Sequence, residues 1–315
     1  AVVWLTPRSG NRYAASHMAQ SASRDRCRRV AYGARLVRRG HAMTFDLGPA
    51  LLFCPADRPE RYEKALERAD AVILDLEDAV APESKAAARA AMIDHALNPE
   101  QVIVRVNAPD TEAFAYDLAA LSQTSYRRVM VAKAEDPHAL DALAAFELIA
   151  LCETARGVVA AETLAAHPAV VAIMWGAEDL VASLGGTSSR TDDGRYRDVA
   201  RHARSRVLLA AGAHGRAAID SVYLDITGLD GLRAEAVDAA ASGFTATACI
   251  HPSQVTTIRE AYAPSSAAVA AAQTLLIFAV GKPGVFAYEG RMVDGPVLRH
   301  AEAVLRRAGL SLPEN

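Results

Sequence analysis

The sequence predicts a TIM-type (β/α)8 barrel followed by a C-terminal helical and irregular extension. Three observations predict it. From residue 50 onward, short apolar runs alternate with Ala-rich amphipathic stretches. Eight such runs fall within roughly 200–250 residues, the usual size of such a barrel. The runs are apolar throughout rather than alternating, as expected of strands buried on both faces of a parallel sheet. A doubly wound open sheet is the competing architecture, but no Gly-rich dinucleotide fingerprint follows the first run.

In chain order the strands are read at "ALLFCPA" (50–56), "DAVILDLED" (70–78), "QVIVRVNA" (101–108) and "RRVMVAKAE" (127–135). "FELIALCET" (146–154), "VVAIMWGAED" (170–179), "AIDSVYLD" (218–225) and "GFTATACI" (243–250) complete the set. The intervening helices carry recognisable starts and stops. Pro59 stands near the first turn of "RPERYEKALERA", and Pro82 and Glu83 open "PESKAAARAAMIDHAL". Proline lacks the N–H that a first turn cannot satisfy, and acids suit the positive end of the helix dipole. Gly215 ends "YRDVARHARSRVLLAAGAHG" as a C-terminal stop. The Pro/Gly-punctuated "GKPGVFAYEGRMVDGPV" (281–297) reads as an irregular crossing into a final helix at 296–308. Three segments are therefore expected: a poorly ordered Arg-rich extension (1–42), the barrel (43–280) and a separate C-terminal segment (281–315).

Of the 315 residues, 51% are hydrophobic and 23% charged, ordinary values for a globular chain with a sizeable core. Residues 1–42 hold nine Arg and no Lys against the single acid Asp25, a net of +8; the overall −3 leaves −11 for the rest. An organellar transit peptide is one reading of that leader. Upstream sequence before a true start at Met43 is favoured, because no sustained amphipathic helix is visible. The acidic body offers no broad basic surface for nucleic acid. No apolar run approaches the roughly 18–20 residues that span a bilayer. Cys27, Cys54, Cys152 and Cys249 show neither metal-ligand spacing nor a disulfide framework, so a reducing cytoplasm is expected.

Barrel enzymes carry their chemistry at the C-terminal ends of the strands. Those ends supply Asp57 and Arg58, then Asp75, Glu77 and Asp78, then Arg105 and Asn107, then Lys133 and Glu135. Glu153, the pair Glu178 and Asp179, Asp225 and His251 follow. The sharpest pair is Glu153 and Asp179, from neighbouring strands. Burying a carboxylate is costly unless it is paired or holds a metal. Two strand-end carboxylates suit one hard cation such as Mg²⁺, which completes its shell with water and substrate oxygen. The competing reading is that each acid caps the helix after it. Arg105 ends an apolar strand and needs a carboxylate partner or an anionic ligand. A structural pair with Glu77 or Asp78 and a clamp on a substrate oxyanion are both open. Arg58 and Lys64, at the start of the first helix, suit a phosphate, although surface charge explains them equally. His251 reads as catalytic or structural, and Cys152 as packing.

Together, "LLFCPADRPERYEKAL", "ILDLEDAVAPESKAAAR", "VIVRVN", "VMVAKAE", "CETARGV", "WGAEDLVASLGG", "CIHPSQ" and "GVFAYEGRMVDGPVLRHAE" resemble the citrate lyase β-subunit-like family. That family includes malyl-CoA and citramalyl-CoA lyases, and the nearest likeness is to stand-alone bacterial citrate lyase β-like proteins. The resemblance runs in order from about residue 48 to about residue 308, and residues 1–42 have no counterpart in it. It implies a Mg²⁺-bearing TIM barrel that cleaves or forms a C–C bond beside a CoA thioester. Glu153 and Asp179 would then be the metal ligands, with Glu153 also facing substrate. Arg105 would be the substrate-binding and catalytic arginine, while Phe53, Arg58 and Lys64 match positions that contact CoA or the acyl group. Asp294 matches an aspartate that reaches a neighbouring subunit's site. Phe286, Tyr288, Met292 and Val293 beside it are apolar groups that want burial, and a neighbouring subunit covering them implies a homotrimer or a hexamer built from trimers. The expected activity is a 3-hydroxyacyl-CoA lyase giving acetyl-CoA and a keto acid. Malyl-CoA thioesterase or malate-synthase-like activity, and a non-catalytic citrate lyase β-type subunit, are the alternatives.

Overall fold

A computed structural model describes residues 45–312. The expected extension 1–42 and the expected start at Met43 lie outside the described residues, which belong to one compact unit, His41–Asn315. Eight parallel strands close into a barrel in chain order. They are β1 (Ala50–Pro55), β2 (Ala71–Asp75), β3 (Val102–Val106), β4 (Arg128–Val131), β5 (Glu147–Cys152), β6 (Val170–Trp175), β7 (Ala217–Asp220) and β8 (Ala246–Cys249). β8 closes the ring against β1, pairing Thr247 with Ala50 and Cys249 with Leu52.

The apolar runs are continuous because both faces of each strand are buried. Leu51, Ile73, Ile103, Met130, Ile149 and Met174 form the core inside the ring. Their neighbours Leu52, Val72, Leu74, Val104, Val129 and Ile173 face the surrounding helices. Each fully buried aliphatic side chain of this size contributes about 1.5–3 kcal/mol of transfer free energy.

The outer layer comprises α1 (Tyr62–Arg68), α2 (Lys85–Asp94), α3 (Glu112–Leu121), α4 (Ala155–Ala166), α5 (Ala177–Ser183), α6 (Asp198–His214), α7 (Leu229–Ser242) and α8 (Ser253–Tyr262). Pro59 and Pro82 each open a short 3₁₀ turn that leads into a helix. α6 stops at Gly215, whose φ of +64° is the left-handed conformation that glycine tolerates best. Between β4 and β5 a 3₁₀ turn, Pro137–Leu143, stands where an α-helix would be.

The seventh strand is shorter than its sequence promises. β7 ends at Asp220, not near Asp225. Asp220 accepts from the Trp175 indole and the Arg204 guanidinium, and its own carboxylate also takes the next backbone N–H, Ser221. Asp225 lies in the exposed loop beyond, capping the backbone of Thr227 and Gly228.

Past α8 the chain forms α9 (Ser266–Ala279), a hairpin of β9 (Phe286–Tyr288) and β10 (Arg291–Val293), and α10 (Gly295–Arg307). α10 packs along α9 through Ala272, Ala301 and Leu305. Phe278 of α9 meets Phe286 and Tyr288 of the hairpin at ring centroid distances of 5.9 and 4.9 Å. Ile277, Val280, Val285 and Met292 remain exposed around them. By length and composition, Ser253–Ala279 is apolar enough to cross a membrane. The helix is interrupted at residues 263–265, however, and neither α8 nor α9 alone reaches the roughly 20 residues needed.

Candidate active site

The C-terminal ends of the strands surround a cleft of about 220 Å³. Asp75, Asp78, Arg105, Glu153, Glu178 and Asp179 line it together with the apolar Phe53, Leu151, Met174, Val222, Leu224 and Ile250.

Arg105 joins several of the charged groups of the cleft. It pairs in register with Asp75 across β2 and β3. Its Nε donates to Asp75 Oδ1 at 2.7 Å and its Nη2 to Asp75 Oδ2 at 2.5 Å, a bidentate contact. Nη1 lies 3.2 Å from Glu77 Oε2. The guanidinium also sits over the Phe53 ring, 4.8 Å from its centroid. Burial works against the charge, but Asp75, Glu77 and Glu153 outweigh it and hold the Arg105 pKa above its ordinary value. The partner expected from the sequence was Glu77 or Asp78. Glu77 does contact Arg105, but the bidentate partner is Asp75, which follows from the register.

Glu153 follows β5 and is almost fully buried. Its Oε1 accepts from the Lys133 backbone N–H at 3.0 Å. Its other flank lies against Gly176: a Cβ there would stand 2.8 Å from Glu153 Cβ and 2.9 Å from Oε2. Only a bare backbone admits the carboxylate at that spot. Burial, reinforced by the charge of Asp179 and opposed by Arg105, pushes the Glu153 pKa up to about 8. Asp179 is half-buried in the first turn of α5.

Neither acid caps a helix. Thr154 caps α4 by accepting from Gly157 N, and α5 starts after Gly176 with no side-chain cap. That removes the capping reading of the pair. A buried carboxylate beside a second carboxylate, both lining the cleft, fits a hard cation that takes one or two protein carboxylates. Among the described residues no cluster of three or more His, Cys, Asp or Glu is placed to hold a metal, so an all-protein cage does not fit.

Lys133 meets three carboxylates. Its ammonium contacts Glu77, lies 3.0 Å from Asp78 Oδ2 and reaches within 3.8 Å of Asp179 Oδ1.

The remaining expected residues lie elsewhere. Arg58 is exposed beside Asp57, and Lys64 is exposed on α1; neither lines the cleft. Asn107 is structural: it accepts from Lys85 and donates to the Leu76 carbonyl and to Asp117. Glu135 accepts from Thr154. His251 is exposed and bonded to Ser253, and Cys152 is buried. Asp294 is half-buried and caps α10, its Oδ1 accepting from Val297 N at 3.4 Å. Gly176 had not been singled out. Its signal was a glycine between an apolar strand and two acids, in "MWGAED".

Known proteins with this architecture share much of the sequence. A citrate lyase subunit beta-like protein from Mycobacterium tuberculosis is 56% identical over 267 residues, which span 85% of this chain and 98% of the relative. An L-malyl-CoA/beta-methylmalyl-CoA lyase from Rhodobacter capsulatus is 32% identical, covering 82% of this chain and 94% of the relative. The crystal structure of protein CitE from M. tuberculosis in complex with magnesium, acetoacetate and coenzyme A superposes with a TM-score of 0.80 at 56% identity. That match covers 83% of this chain and 98% of that one. Residues 50–252, which include every barrel strand, match the profile of the HpcH/HpaI aldolase/citrate lyase family, and the chain belongs to that family.

Proposed function

We propose that this protein is a Mg²⁺-dependent carbon–carbon lyase. It would cleave, or in reverse form, a 3-hydroxyacyl-CoA such as malyl-CoA, citramalyl-CoA or 3-hydroxy-3-methylglutaryl-CoA, giving acetyl-CoA and a keto acid. One observation carries the reading: Glu153 and Asp179 share a cleft with the pre-oriented guanidinium of Arg105. The relatives agree. One is named a lyase of malyl-CoA, and another was crystallised with magnesium, coenzyme A and acetoacetate, itself a keto acid.

Glu153 and Asp179 are the metal ligands in this reading, with Glu153 bordering the substrate. When bound, Mg²⁺ would polarise the hydroxyl and carboxylate oxygens of the substrate as the new carbonyl forms. Arg105 does the work at the thioester. A base takes the 3-hydroxyl proton, the C3 oxygen becomes a carbonyl, and the electron pair of the breaking C2–C3 bond passes to the thioester, leaving negative charge on its oxygen as an enolate. A fixed donor aimed at developing charge lowers that barrier most when it does not have to reorganise. Asp75, Glu77 and Phe53 remove that reorganisation, and Arg105 Nη1 and Nη2 keep donors free for a ligand oxygen. Phe53, with the other apolar residues that line the cleft, excludes water from the enolate. Arg58 and Lys64, exposed near the first helix start, are proposed to meet the phosphates of CoA.

Asp294 is proposed to protonate the enolate in a neighbouring subunit of a homotrimer, or of a hexamer built from trimers. Two features support this. Asp294 does not line its own cleft, and the segment that carries it leaves Ile277, Val280, Val285 and Met292 exposed.

The test is direct. With a panel of 3-hydroxyacyl-CoAs, Mg²⁺ should yield acetyl-CoA and a keto acid, identified by mass, and a chelator should abolish the yield. Free CoA in place of acetyl-CoA would replace lyase by thioesterase. No turnover of any member would reject the reading.

A further inference from the structure

Lys133 follows β4 with φ at +49°, in the left-handed region that a lysine seldom visits. That bend turns its backbone N–H onto Glu153 Oε1 and carries its side chain to the acids beyond β2 and β6. The ammonium bonds Glu77, lies 3.0 Å from Asp78 and 3.8 Å from Asp179, and is 31% exposed. Glu77 lies in turn 3.2 Å from Arg105 Nη1. One residue thus touches both carboxylates of the pair and, through Glu77, the arginine.

We infer that Lys133 is a positioning residue that shares Asp179 with the divalent cation, holding that carboxylate before the ion arrives and yielding it afterwards. This rests on Glu153 and Asp179 being the metal ligands. The argument is electrostatic. An ammonium within 4 Å of a carboxylate is attracted to it and opposes a second cation at the same oxygen. The acids of the cleft outnumber its cations, and the charge of Arg105 is already paired with Asp75 and Glu77. Lys133 is therefore the cation that Asp179 faces. Its nearer partners are Glu77 and Asp78, so it can release Asp179 and still neutralise Glu77. Glu77 then stays in place beside Arg105. Metal affinity is lowered in exchange for a fixed arginine.

The experiment uses the full chain with Lys133→Met, Lys133→Gln, Lys133→Arg and Asp179→Asn. All three Lys133 substitutions change the side chain and leave a backbone N–H at position 133 to donate to Glu153. Mg²⁺ alone is titrated calorimetrically, and circular dichroism confirms the fold. Lys133→Met and Lys133→Gln should bind Mg²⁺ at least about threefold more tightly than the parent, with Lys133→Arg within about twofold. Turnover at saturating Mg²⁺ should nevertheless fall about tenfold or more in the two neutral variants, through the unsettled Glu77 and Arg105. A purely structural lysine would give weaker metal binding and lower turnover together. Unchanged or weaker binding in whichever neutral variant folds overturns the inference. If Asp179→Asn binds Mg²⁺ like the parent, the metal assignment itself fails and the inference falls with it. If Asp179→Asn loses the metal and the neutral variants gain no affinity, the inference alone fails.

Discussion

Arg105 and Asp75 stand directly opposite one another on adjacent parallel strands and form a two-bond contact at 2.7 and 2.5 Å. Both are buried. Asp75 also accepts from the backbone N–H groups of Glu77 and Ala79, so it shapes the β2–α2 turn as well as the arginine. Removing one partner leaves the other as an uncompensated buried charge. Asp75→Ala should therefore cost about 3–5 kcal/mol of stability. Urea denaturation measures this, and a loss below about 1 kcal/mol would contradict the pairing.

Arg105→Lys separates charge from shape. Lysine keeps the charge but lacks the planar fork that meets Asp75 and a ligand oxygen together. Turnover should fall by about 10²–10³ while Mg²⁺ binding stays near the parent value. Steady-state kinetics with Mg²⁺ titration resolve the two.

Gly176→Ala tests the bare-backbone contact beside Glu153. Its φ is ordinary, so strain is not at issue; the new methyl would collide with Glu153 Cβ and Oε2. Overpacking of this kind costs about 1–3 kcal/mol. Because the collision falls on a proposed ligand, Mg²⁺ affinity should drop more than the melting temperature implies. Calorimetry and thermal unfolding on one sample give both numbers.

Asp294→Asn separates capping from catalysis. Asparagine caps a helix about as well as aspartate, so stability should change by only a few tenths of a kcal/mol. Turnover should fall steeply, because the amide cannot deliver the proton. Glu153→Gln should also be inactive. Mixed oligomers of the two, reassembled after dissociation, should regain part of the activity. If mixed oligomers form and stay inactive, Asp294 does not act across subunits.

The cysteines give an independent check on the core. Burial pushes the thiols of Cys152 and Cys249 up to about 12, and that of Cys54 to about 11. The reactive species is the thiolate, which becomes abundant only as pH rises toward the pKa. At pH 8 these three sites should resist iodoacetamide in the native protein and label within minutes in denaturant. Peptide mass spectrometry reads each site separately.

Much of this was legible in the sequence. Strand order followed from continuous apolar runs, since burial on both faces leaves no alternation to mislead. Glu153 and Asp179 stood out as acids at strand ends. What depended on three-dimensional register did not show. The choice of Asp75 over Glu77 and Asp78 as the bidentate partner of Arg105 is set by which residues face each other across β2 and β3. Lys133 gave no sign of its left-handed backbone, because glycine or asparagine normally announces that conformation. β7 looked longer than it is because "SVYLD" continues an apolar run, whereas Asp220 ends the strand by bonding Trp175 and Arg204.

The seam between β8 and β1 has a consequence for the order of synthesis. Ala50 is paired on one side with Thr247, so one edge of the first strand waits for a partner roughly 200 residues downstream. At about 5–20 residues per second, that wait lasts roughly 10–40 seconds on the ribosome. Throughout it, the sticky main-chain edge of Leu51 and Leu52 is open to wrong pairing with any nascent strand nearby. The ring is thus a late event governed by long-range closure. A chain truncated before Thr247 would present two unsatisfied edges at once, which makes it a natural substrate for chaperones and proteases.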